Sequence, residues 1–100
     1  MNRILITAVF VAVAGAAPAS QKFTGTITDD MCGAKKHDAQ CIADCVTHMN
    51  AKYALYDGHE VYVLSDQKAP ARFADKKVTV TGTLDAQTKT IHVEKIEAAR

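Results

Sequence analysis

All three cysteines of the chain and two of its four histidines fall between Cys32 and His48, and no other segment concentrates metal-ligating side chains in this way. Thiolate sulfur and imidazole nitrogen are donors for zinc and Cu(I). Any four of Cys32, His37, Cys41, Cys45 and His48 would complete a tetrahedral soft-ligand set, such as three cysteines and one histidine. A metal that engages all three sulfurs also accounts for their odd number. The spacing follows no standard zinc-finger pattern, and Cys45-Val46-Thr47-His48 lacks the second cysteine of a haem-attachment motif.

A disulfide is the competing use of these thiols. Cys41 and Cys45 lie one helical turn apart, but their Cβ atoms lean in parallel toward the helix N-terminus, so a bridge between them would strain the helix. A bridge from Cys32 to either one closes a loop of about ten to fourteen residues, worth roughly 3 kcal/mol in the chain-entropy model. One thiol is then left over, open to pairing between chains. The two histidines favour the metal, since a covalent staple has no use for them. A thiol redox enzyme is disfavoured, because Cys41 and Cys45 lack the Cys-x-x-Cys spacing that stabilises a reactive thiolate at a helix start. The expectation is a binding module with no catalytic residues and no organic cofactor, holding Zn or Cu or else stapled by a disulfide.

A helix over 39–49 is predicted to position these groups. Asp38 is placed to cap it, its carboxylate accepting a backbone N–H of the first turn. Ile42, Val46 and Met49 recur at i, i+4 and i+7 as a stripe to pack on a sheet, and Cys41, Cys45 and His48 repeat that spacing one residue earlier. Asn50 can end the helix.

The first nineteen residues have a different purpose. Arg3 supplies a positive charge, Ile4 to Ala14 is an apolar run, and Ala17-Pro18-Ala19 gives the small-residue cleavage pattern before Ser20. This is the layout of a secretory signal peptide, and the run falls short of the roughly 20 residues of a membrane span. Residues 20–100 are then one exported domain, periplasmic or secreted, with no membrane attachment after cleavage. Export places the thiols where disulfides form. The chain carries 12 Lys+Arg against 11 Asp+Glu, and Arg3 lies in the leader. Such neutrality lacks the basic footprint of a nucleic-acid binder. A chain this small buries one modest core, which disulfides or metals often supplement, and it is expected to be monomeric.

Other side chains read more plainly. Asp29-Asp30 end a strand as turn formers, His59 sits in a hairpin turn, and His92 points outward from its strand. Tyr53, Tyr56 and Tyr62 read as core residues. An exposed aromatic stacking surface for bases or sugars would need basic charge around it.

The remaining pattern is β. Phe23, Gly25 and Ile27 alternate with threonines, as do Val78, Val80 and Leu84, and each strand carries a central glycine, Gly25 or Gly82. Mid-strand glycine indicates a bulge or bend. Asp57-Gly58 between residues 53–56 and 61–64 signals a hairpin. Pro70 opens one or two helical turns over 69–74. Asp85 to Lys89 is a turn, and the phase slip from Val93 to Ile96 indicates a bulge in the last strand. Five strands, a Cys/His helical insert between the first two and a short helix between the third and fourth give the order of an OB-like barrel, mainly β with short helices. The Cys32-Gly33…His37…Cys41…Cys45 segment, with Phe-Ala-x-Lys-Lys-Val-x-Val-x-Gly-x-Leu at Phe73 to Leu84, resembles small exported bacterial proteins of uncharacterised function. The resemblance implies this architecture and an exported address, and no activity.

Overall fold

The computed structural model describes residues 19–35 and 38–99. The expected leader, residues 1–19, lies outside the described residues save for Ala19, and so does His37. Five strands follow one another as β1 (Gln21–Asp29), β2 (Tyr53–Tyr56), β3 (Val61–Leu64), β4 (Lys77–Asp85) and β5 (Thr90–Ala98). One helix, α1 (Ala39–His48), lies between β1 and β2, and a 3-10 turn (Ala69–Phe73) lies between β3 and β4. The sheet closes on itself in a ring with the strand order β1-β2-β3-β5-β4. All pairings are antiparallel except β3 with β5, which is short and parallel.

Closing five short strands requires β1 to serve two neighbours. Its residues 21–26 pair with β4 and its residues 26–29 pair with β2. Where it passes from one to the other, a Cβ on Gly25 would stand 2.3 Å from the Tyr56 carbonyl oxygen, so only glycine fits. Gly82 has the same task opposite β5. A Cβ there would meet the His92 carbonyl oxygen at 2.2 Å, beside a register shift in which Thr81 faces Lys95 and Gly82 faces Val93. Glu94 is the extra residue of that bulge, which is the phase slip read in the sequence.

The inward residues fill the ring. Ile27, Leu55, Leu64, Val78, Val80 and Ile91 are all at most 1 % exposed, with Tyr53 beside them and Phe23, Tyr62 and Ile96 packed on the rim. Tyr53 and Tyr62 therefore belong to the core and its edge, while Tyr56 is half-buried with its hydroxyl donating to Gly58 O, and His92 and His59 are exposed. Asp57 closes the hairpin by accepting from His59 N and Glu60 N, both at 2.8 Å, while Gly58 takes φ 104°. Lys89 pairs with Glu60 across the surface, a contact that stabilises little where water screens it.

The helix starts at Asp38, whose Oδ1 accepts from Cys41 N at 2.9 Å. Ile42 is buried against the sheet and Val46 packs on the same cluster. Met49 does not complete that stripe. The helix ends at His48, Met49 is its cap with φ −115° and ψ 9°, and the side chain is 58 % exposed. Leaving helical geometry at Met49 rotates its side chain out of the i+7 position, so a periodic apolar residue just past a helix end carries no assurance of packing. Asn50 then reverses the chain with φ 63°.

Candidate metal centre

The site is assembled where the end of β1, the turn after it and the last turns of α1 meet. Thr28 and Asp29, the last two residues of β1, are buried although both are polar. Asp29 is fully buried and its Oδ1 accepts from Met31 N and Cys32 N, each at 2.9 Å. Thr28 Oγ1 donates to Gly33 O at 3.0 Å, Gly33 N donates to Asp29 O at 2.9 Å, and Gly33 takes φ 58°. The turn thus wraps around the Asp29 carboxylate and presents Cys32 on the far side of two of its hydrogen bonds.

The other wall is fixed by the helix end. The Cys45 carbonyl accepts from Met49 N at 3.0 Å and from Ala51 N at 3.1 Å, which ties the last helical turn to the start of β2. That strand pairs Tyr53 with Asp29, and Lys52 N donates to Asp30 Oδ1 at 2.8 Å. Gln67 clamps the same corner, accepting from Tyr53 N at 2.7 Å and donating to Leu64 O at 2.8 Å. Position on the ring therefore sets position in the site.

In this arrangement a carboxylate oxygen of Asp29 and the sulfurs of Cys32 and Cys45 all lie within 4.8 Å of one another. All three cysteines are free and half-buried. The three thiols stand close enough for Cys32 to act on both Cys41 and Cys45 and for Cys41 to act on Cys45. Burial pushes the Cys45 thiol up to about 11, helped next by the negative charge of Asp29 and then by Cys32. Burial likewise raises Cys41, with Cys32 and Asp38 adding to it and the hydrogen bond with Cys45 opposing it. Such thiols keep their protons at neutral pH, and a protonated thiol is a poor nucleophile. An anionic pocket that disfavours a further negative charge is one in which a cation can take the place of the protons.

Of the residues singled out by sequence, Cys32 and Cys45 converge, and Cys41 joins them through Cys45. His48 is exposed and stands apart from the three-residue cluster. It lines a shallow groove outside it with Cys41, Cys45, Met49, Asp38, Gln40 and Asp44. Asp29 is the member that sequence reading assigned only to a turn. Its turn role is real, and the signal for the second role lay in the spacing: an aspartate three residues before a cysteine can cap that cysteine's N–H and so stand beside its side chain. A second cleft of about 360 Å³ lies on the other side of the turn, between Thr26, Thr28, Ala34, Lys35, Tyr56 and Asp75.

Among the described residues no helix is long and apolar enough to cross a membrane. No curated protein and no solved structure matches the chain. The family comparison covers just under half of it, begins after the last cysteine and leaves the cluster outside: residues 51–99 match the model of a family described as a protein of unknown function, DUF5818.

Proposed function

We propose that this chain is a small exported binding module of OB-like architecture that holds a transition metal, Zn or Cu, at its cysteine cluster. The observation that carries this reading is the convergence of Asp29, Cys32 and Cys45 within 4.8 Å. Cys41 shares the outer groove with Cys45 and offers a further sulfur, and His48 lines the same groove as a candidate imidazole donor. His37, whose position is not described, keeps its place as a candidate ligand from the loop. The OB-like assignment is supported by the ring order and by the 3-10 turn between β3 and β4. Two cysteine thiolates and a carboxylate are a donor set used by zinc, and the sulfurs alone suit Cu(I). The raised thiols work against a nucleophilic or redox role.

The disulfide reading keeps one specific support, the approach of the Cys45 and Cys32 sulfurs to within 4.8 Å, which leaves Cys41 as the odd thiol. One measurement separates the two. Free thiols are counted in the denatured protein after purification without reductant, and metal content is measured in parallel. Three thiols with one equivalent of zinc or copper support the metal centre, and one thiol with no metal supports a Cys32–Cys45 staple. Cys45→Ser is expected to abolish metal binding and to leave the β circular-dichroism signal intact. Retention of full metal affinity in that variant would refute the assignment.

A further inference from the structure

We infer, building on the metal reading above, that the ion held by this cluster is Cu(I) and that the Met49 thioether is the ligand through which it arrives and leaves. Two observations point there. The groove outside the cluster is lined by Cys41, Cys45, Met49 and His48, four residues with sulfur or imidazole donors. Met49 itself is 58 % exposed, just past the helix end and off the apolar stripe of Ile42 and Val46. Thioether sulfur is a useful ligand for Cu(I) and a negligible one for Zn(II), so a methionine held in water beside thiols discriminates between the two metals.

The helix end ties the Met49 backbone to the cluster: Met49 N donates to the carbonyl of Cys45, whose sulfur lies within 4.8 Å of that of Cys32. Met49 and Cys41 thus share the groove with Cys45, and Cys45 shares the inner cluster with Cys32 and Asp29. Asp38 and Asp44 at the groove rim add negative charge toward an approaching cation. Transfer along this line is ligand exchange without electron transfer. A thiol of the cluster gives its proton to solvent, its sulfur bonds to Cu(I), the bond from the Met49 thioether breaks, and copper stays in the +1 state throughout.

The test uses the reduced full chain and two probes, Cu(I) presented as its bathocuproine disulfonate complex and Zn(II) presented with a chromophoric zinc chelator. Met49→Leu keeps the size of an exposed side chain and removes the sulfur. Met31→Leu is the control, since Met31 is comparably exposed at 55 % and does not line the groove. The expected result is uptake of one equivalent of Cu(I), slowed roughly tenfold in Met49→Leu, at the low end for loss of a supporting group, and unchanged in Met31→Leu. Zinc kinetics, where zinc binds at all, should be the same in all three proteins. Uptake of zinc but not Cu(I) would overturn the inference and leave the metal centre standing, as would equal Cu(I) rates in wild type and Met49→Leu. Uptake of neither metal would remove both.

Discussion

In the ring, the fully buried side chains are Ile27, Leu55, Leu64, Val78, Val80 and Ile91, and the places without a side chain are Gly25 and Gly82. At the end of β1 and in the turn and helix that follow it, the buried and half-buried groups include the Asp29 carboxylate and three thiols alongside Ile42. One region removes apolar surface from water, and Thr81 Oγ1 is the one buried side-chain polar atom among the described residues that it leaves without a partner. The other gathers groups that water would ordinarily solvate, and holds them with backbone hydrogen bonds. The Asp29 carboxylate is kept from water by the turn from whose N–H groups it accepts. The difference separates an apolar scaffold from a polar insert, and each prediction below tries to break that division or to make it sharper.

The largest effect should come from the ring. Gly25→Ala and Gly82→Ala each drive a methyl into a backbone carbonyl that cannot move without opening the sheet. Each is expected to cost about 3 kcal/mol or more, at the upper end for forced overpacking. Urea denaturation reads this directly. A loss below about 1 kcal/mol in either variant would mean that the closure is not set by those contacts.

Next comes the joint between the regions. Asp29→Ala leaves Met31 N and Cys32 N without their acceptor and should cost about 2–3 kcal/mol. Asp29→Asn retains an acceptor oxygen and should cost clearly less. In Asp29→Asn the Cys45 thiol should also titrate below its value of about 11, because the Asp29 charge is the second contributor to that shift after burial. Thiolate absorbance against pH measures it. An unchanged titration would show that the carboxylate does not reach the sulfur electrostatically.

Much of the ring was legible in the sequence because its signals are local. Asp57-Gly58 announces the hairpin, the alternation of Val78, Val80 and Leu84 with threonine announces β4, and the slip from Val93 to Ile96 announces the Glu94 bulge. Asp38 as helix cap needed only its neighbours. What the glycines at 25 and 82 were for was only half visible, since the carbonyl each one meets belongs to another strand. The site was legible as a list of donors and less so as an assembly. Cys32 meets Cys45 because the turn wraps around Asp29, and the choice of Cys45 over Cys41 depends on where α1 is anchored by Ala51. Met49 was misread for the opposite reason: its periodicity was correct, but the helix ended one residue before it.

Titration divides the two regions again, with a smaller effect. In the metal-free chain Cys45 is raised from 9.0 to about 11 by folding. A raised thiol means that the folded state holds its proton longer than the unfolded state. Its contribution is intact below the unfolded value and is lost as pH rises toward about 11. Stability of the metal-free protein should therefore fall on that alkaline limb, and Cys45→Ser should flatten it. An alkaline limb identical in the two proteins would break the assignment of this pH dependence to the insert.

The acid limb should belong to the ring, and here the smallest effect is expected. Asp57 is held below its usual value by hydrogen bonds from Glu60 N and His59 N, and Asp66 by those from Lys68 N and Ala69 N. A lowered carboxyl favours the folded state above the unfolded value near 3.9, and that contribution is lost as pH falls through the folded one. Both carboxylates cap turns outside the cysteine segment, one in the β2–β3 hairpin and one before the 3-10 turn. Asp57 is exposed and Asp66 half-exposed, so water screens each gain and the individual shifts in acid midpoint should be small. Asp57→Asn and Asp66→Asn together should flatten the stability curve below about pH 4 and leave the alkaline limb as it is. Cys45→Ser should do the reverse. Should the paired Asn variant alter the alkaline limb as much as the acid one, the ring and its insert titrate as one unit, and the separation of scaffold from site fails on its own terms.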